Sequence, residues 1–154
     1  MQPNIGLDED VLKQDNTLLN DFLSDLHVLY IKTRKYHWNV AGPNFMEYHK
    51  FFESQYKAIE AEIDEVAERI RQLGGKPLAE FIQNTSLKED TGKVNGTAEM
   101  FKNLLSDHEQ IVRELRDDVD KCSEELNDAG TADFLTKLME DHEAMAWMLR
   151  KYLS

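Results

Sequence analysis

An all-α four-helix bundle is the fold this sequence predicts, and three observations carry it. Apolar residues recur every three or four positions along four long stretches, and Gly, Pro and Asn punctuate the chain between them. No segment shows the two-residue alternation of a strand. Composition agrees: 41% of residues are hydrophobic and 31% charged, with 7 Gly and 3 Pro among 154, which fits a helical globular protein better than a disordered chain or a β-sandwich. That length suits one domain, expected over residues 1–154, and is enough to bury a core.

The first helix is expected from about Asp8 to Asn39, on the spacing of Val11, Leu18, Phe22, Leu26, Leu29 and Thr33. Ala41-Gly42-Pro43-Asn44 then interrupts the pattern, since Gly and Pro end helices and Asn can cap the next one. A second helix follows on Phe52, Tyr56, Ile59, Ile63, Val66, Ile70 and Leu73, and Gly74-Gly75 stops it. In the long connection from Lys76 to Asn95, Leu78 to Asn84 fits a short extra helix crossing between hairpins. Asp90-Thr91-Gly92 and Asn95-Gly96 read as turns. The third helix should begin near Thr97 and carry Phe101, Leu104, His108, Ile111, Leu115, Val119 and Cys122. After a tight turn at Asn127 to Gly130, the fourth carries Phe134, Leu138, His142, Met145, Leu149 and Tyr152. Such a helix set buries its stripes as a bundle.

Several classes are excluded or disfavoured. No apolar run approaches the ~20 residues that span a bilayer. Met1 to Asp10 hold no Lys, no Arg and no apolar block, so no signal peptide is expected. Cys122 is the only cysteine, which rules out an internal disulfide and fits a reducing cytoplasm. The formal net charge of −12 repels nucleic acid and attracts cations. Neither a Gly-rich phosphate loop nor a His-Glu-x-x-His motif is present, and Cys122 falls on the apolar stripe of the third helix, where no basic group is expected to activate it.

Five candidate metal ligands fall within just over thirty residues: His37, His49, Glu53, Asp64 and Glu68. His49/Glu53 and Asp64/Glu68 are each spaced i, i+4, which places the members of a pair on one helix face. Imidazole with carboxylate suits iron or zinc. From His49 to Asp64 is fifteen residues, or ~22 Å along a helix, whereas ligands of one ion lie within about 4 Å of each other. The pairs therefore cannot share an ion inside one chain. Fifteen residues is also ~4 turns plus ~60°, so both pairs leave the helix on broadly the same side. A second antiparallel copy, related by a two-fold axis near Ile59, would set each pair opposite the other and create two identical sites, with His37 joining them. A solvated acidic face remains the alternative, and Glu60, Glu62 and Glu65 favour it for Asp64/Glu68. An ordinary diiron bundle with Glu-x-x-His motifs fails, because Ser24, Arg34, Met46, Leu105 and Met139 stand three positions before the histidines. His27, His108 and His142 are left out of the site, the latter two as hydrogen-bonded core residues.

With those residues in place, the chain resembles the Dps family of mini-ferritins, the DNA-binding proteins from starved cells. The resemblance rests on His37-Trp38-Asn39-Val40-Ala41-Gly42-Pro43-Asn44-Phe45, then His49 and Glu53, then Asp64-Glu65-Val66-Ala67-Glu68-Arg69 and Leu73-Gly74-Gly75, and extends over nearly the whole chain. It implies a ferritin-like bundle with a short helix in the long connection. It also implies a ferroxidase site at His37, His49, Glu53, Asp64 and Glu68, shared across a two-fold interface and taking two iron ions. Glu53 departs from the family, which more usually has Asp there. Trp38 matches a tryptophan beside the family's iron site, with core packing as the plain alternative. Asp128 and Asp133 fall where the family lines a three-fold iron-entry pore, although Asp at a helix start also serves as a cap. The resemblance further implies a cytoplasmic bacterial or archaeal shell of twelve subunits. Such a shell would oxidise ferrous iron, with hydrogen peroxide in preference to oxygen, and store ferric oxide against oxidative stress. The alternative it carries is nucleoid compaction by DNA binding. Asp8, Glu9 and Asp10 near one end, and a chain that stops at Ser154 with no basic tail, argue against DNA as a partner.

Overall fold

Asp8 begins the first helix. In the computed structural model, which describes residues 3–78, 85–87, 94 and 96–154, its backbone is extended and its carbonyl accepts from Leu12 N at 3.0 Å. Helix α1 then runs over Glu9–Asn39, with Glu9 and Asp10 in the first turn, where the helix dipole favours negative charge. Val40 leaves the helix in an extended conformation. Gly42 takes φ +117°, a value that side chains resist, and this lets the chain reverse before Pro43. Helix α2 spans Phe45–Gln72. Its end is a Schellman turn: Gly74, at φ +80°, donates to Arg71 O at 3.1 Å while Gly75 donates to Ile70 O at 2.9 Å.

Helix α3, Thr97–Asp120, ends differently from the sequence expectation. It widens into a π turn over Lys121–Glu125, where Leu126 N reaches back to Lys121 O at 3.1 Å. Asn127 then adopts φ +52°, which Asn tolerates better than most residues. Helix α4 spans Ala129–Tyr152. The turn expected over Asn127 to Gly130 is thus shorter than expected, and Gly130 lies inside the first turn of α4. The reason is a strong cap: the Asp128 carboxylate accepts from Gly130 N at 3.0 Å, Thr131 N at 3.1 Å and Thr131 Oγ1 at 2.6 Å.

Helices α1 and α2 pack as one hairpin, and α3 and α4 as the other. Their apolar stripes meet in a core that includes Leu19, Leu26, Phe52, Ile59, Ile70, Leu104, Ile111, Leu138 and Leu149. The described parts of the long connection dock on α1. Leu78 N donates to Asn20 Oδ1 at 2.8 Å, and Ser86 N and Thr85 Oγ1 donate to Asp25 Oδ1, each at 2.7 Å. The short helix expected at Leu78 to Asn84 falls, beyond Leu78, outside the described residues, as do Asp90-Thr91-Gly92 and Asn95. Among the described residues no helix is long and apolar enough to cross a membrane.

Three polar groups cross the core. His108 and His142 are fully buried and share a hydrogen bond between their Nδ1 atoms at 2.8 Å, so one ring donates and the other accepts. Burial, and then the neighbouring ring, push His108 well below its ordinary pKa. The Glu62 carboxylate lies 3.1 Å from His142 Nε2, at ion-pair distance though not aligned as a hydrogen bond. Lys32 and Asp107 form a second buried pair at 2.6 Å.

The third group joins α1 to the π turn. Asp15 is fully buried and accepts from the Cys122 thiol at 3.4 Å. Burial is the main force that raises its pKa from 3.8 to about 6; the thiol contact pulls it down, and the nearby Asp128 carboxylate adds to the rise. Burial, with Asp15, pushes the thiol up to about 12, so Cys122 is inert as a nucleophile at neutral pH. Because Asp15 binds its proton more tightly folded than unfolded, its contribution to stability is fully present below about pH 4 and lost as pH rises through about 6. Asp15→Asn keeps an oxygen for the thiol without the buried charge. It should stabilise the fold by about 1–3 kcal/mol at pH 8 and by much less at pH 4. Thermal midpoints at one fixed protein concentration would measure it, and an equal gain at both pH values would show that Asp15 does not ionise in the fold.

Candidate metal centre

The reversal at 40–44 lays the end of α1 beside the start of α2, so that His37 and His49 face each other. Their rings stack with centroids 3.7 Å apart and planes 22° apart. Each imidazole bonds the other residue's backbone: His37 Nδ1 lies 2.7 Å from His49 O, and His49 Nδ1 lies 2.9 Å from His37 O. The second bond has a local cause. His37 is in the last turn of α1, whose carbonyls lack partners within the helix, and the His49 ring supplies one.

Those two bonds decide the tautomer. A carbonyl oxygen only accepts, so each Nδ1 must carry the proton. In the neutral ring Nε2 is then left with its lone pair. Imidazoles that bind metals commonly use this arrangement, with the proton on one nitrogen fixed by a backbone carbonyl and the other nitrogen free to ligate. Tyr56 packs edge-on against His37 at 5.2 Å and Phe45 lies 5.0 Å from His49. His37 is only 8% exposed, so its orientation is well defined by packing.

Glu53 lies one turn beyond His49. Its carboxylate is bound by Lys57 at 2.6 Å. The Lys57 ammonium holds Glu53 below the ordinary carboxylate pKa, and both imidazoles act in the same direction, which places Glu53 within their electrostatic reach. Asp64 and Glu68 are not brought to this cluster. They sit exposed, eleven and fifteen residues past Glu53 on α2, and make no hydrogen bond or ion pair among the described residues. Among the described residues no three His, Cys, Asp or Glu side chains converge as a complete metal site. One chain therefore brings two imidazoles together with Glu53 one turn beyond His49, and leaves Asp64 and Glu68 exposed further along the same helix.

Trp38 is not a core residue in the chain: it is 62% exposed, and the Arg34 guanidinium lies 4.9 Å from its ring centre. Ile31, Phe45 and Met46, around the same helix ends, are also exposed. Asp128 is buried and engaged as the α4 cap, with Arg69 at 3.5 Å, whereas Asp133 is exposed one turn further on. Sequence reasoning passed over Lys57, although its i, i+4 spacing from Glu53 was a readable signal. It also passed over Asp15, an acidic residue in the core-facing series Leu12, Asp15, Leu19.

The ferritin-like domain family matches residues 16–154, so fold and sequence together define a ferritin-like four-helix protein. Among solved structures, a Dps protein from Vibrio cholerae, described as one of the ferritin-like diiron-carboxylate proteins, aligns with a TM-score of 0.91 at 30% identity, covering 99% of this chain and 97% of that one. A Dps protein from Bacillus brevis aligns with a TM-score of 0.88 at 34% identity, over 96% and 100% of the two chains. The DNA protection during starvation protein of Brevibacillus brevis is 37% identical over 88% of this chain and 92% of its own length. An uncharacterized low temperature-induced protein of Nostoc sp. is 47% identical over 97% of this chain and 86% of its own length. The chain belongs to the Dps family of the ferritin-like superfamily. That membership supports iron storage and stress protection as its general role.

Proposed function

We propose that this protein is a ferroxidase and iron store whose dinuclear sites are completed by a second copy of the chain. The observation that carries this reading is the reciprocal lock of His37 and His49, which leaves two Nε2 lone pairs beside Glu53. The missing carboxylates are Asp64 and Glu68 of a two-fold partner, presented by an antiparallel α2. The exposed Ile31, Trp38, Phe45 and Met46 give that contact apolar area to bury.

Two ferrous ions are the substrate of each site. The imidazoles suit ferrous iron, and the carboxylates stabilise the added charge of the ferric product. The balanced reaction is two ferrous ions with one hydrogen peroxide and two waters, giving two ferric oxyhydroxide units and four protons. Each iron loses one electron and the peroxide O–O bond takes both. Oxygen would serve as the second oxidant. Consuming iron and peroxide together prevents hydroxyl radicals. Trp38, exposed beside His37, is placed to absorb a stray oxidising equivalent. Twelve chains would form the shell that holds the ferric oxide. Asp133 would line the iron-entry pore, with Asp128 behind it as the cap that fixes the start of α4. The net charge of −12 favours cations over DNA, and a retarded, salt-sensitive band in a neutral, low-salt gel shift would support DNA binding instead.

Anaerobic loading with ferrous iron, followed by peroxide or air while ferric absorbance is recorded, tests the activity. Oxidation well above a protein-free control is expected, faster with peroxide. Rates equal to the control with both oxidants would remove the ferroxidase assignment.

A further inference from the structure

We propose that Lys57 is a built-in counter-cation that occupies the Glu53 carboxylate until a divalent metal ion displaces it, and so weakens the second ion position of the site. This rests on the metal-centre reading above. The Lys57 Nζ stands 2.6 Å from Glu53 Oε1, one helical turn away. A carboxylate oxygen that serves an ammonium at that distance cannot serve a metal ion in the same direction. Ligation through Oε1, alone or together with Oε2, therefore requires Lys57 to move out, and ligation through Oε2 alone leaves the ammonium beside the ion.

The pair is built to be displaced. The side chains are 61% and 36% exposed, both are flexible, and an ion pair in that setting is weak. Once displaced, the ammonium remains tethered near an incoming divalent ion and repels it. The imidazoles carry no such competitor among the described residues: their Nδ1 atoms are engaged by backbone, and no hydrogen bond or ion pair there engages their Nε2 atoms. The ion whose imidazole works without Glu53 should consequently bind first and more tightly, and the ion that depends on Glu53 second.

Anaerobic calorimetric and absorbance titrations of the assembled protein with cobalt(II) ions, a probe that needs no turnover, test this. Lys57→Gln should tighten the weaker class of cobalt sites by about three- to tenfold, from removal of one nearby positive charge at a largely hydrated site. The tighter class should change by less than about twofold, because Lys57 does not contact the imidazoles. Lys57→Arg, which keeps the charge, should bind like the parent. Glu53→Gln should abolish the weaker class, and adding Lys57→Gln to it should change nothing. An unchanged weaker class in Lys57→Gln, or equal tightening of both classes, overturns the role of Lys57 while leaving the metal centre standing. Absence of any cobalt site that His37→Ala removes would overturn the metal centre itself and this proposal with it.

Discussion

Co-assembly of His37→Ala chains with Asp64→Ala chains, each inactive alone, is expected to restore iron oxidation. A dimer of two His37→Ala chains has two broken sites, and so does a dimer of two Asp64→Ala chains. A mixed dimer collects both defects in one site and leaves the other intact. Random pairing makes half of the dimers mixed, so about a quarter of all sites should recover. Ligands drawn from a single chain would leave every chain with its own defect, and mixing would restore nothing. Co-expression or co-refolding is needed, because an assembled shell need not exchange subunits. Mixed shells verified by mass that stay inactive would rule out the shared site.

Asp64→Ala combined with Glu68→Ala should lower the rate of iron oxidation by at least about a hundredfold, since even outer partners of metal ligands cost ten- to a hundredfold. The shell should still form. Both carboxylates are exposed and make no hydrogen bond or ion pair among the described residues, so their removal should alter stability by no more than about 0.5 kcal/mol. Mass measurement and thermal unfolding would accompany the kinetics. A variant that is unfolded or monomeric would mean that the pair holds structure together and does not bind iron.

The elements were legible because their signals are local. The apolar spacing, the Gly42-Pro43 interruption and the Gly74-Gly75 stop act within one or two turns, and the helices fall within a residue or two of their expected bounds. The π turn at Lys121–Glu125 was not legible, since the periodicity through Val119 and Cys122 reads as plain helix. Nor was the early start of α4. Gly130 looks like a breaker until the Asp128 carboxylate is seen to accept from the amides beside it.

For the candidate site, spacing alone showed that His49/Glu53 and Asp64/Glu68 lie too far apart to share an ion, because the rise of a helix is fixed. The likeness of the segment from His37 to Gly75 to one family supplied the candidate ligand set. What required tertiary structure was the state of each candidate ligand. His37 and His49 are twelve residues apart, and only the reversal at 40–44 brings each ring to the other's carbonyl and so sets where its proton sits. The partnership of Glu53 with Lys57, the burial of Asp15 and the exposure of Trp38 likewise depend on packing. Sequence by itself determined the helices and the bundle, which follow from short-range periodicity, and named the candidate ligands through residue chemistry and family likeness. The three-dimensional arrangement decided tautomer, charge partner and exposure, because those are properties of neighbours that the chain meets only on folding.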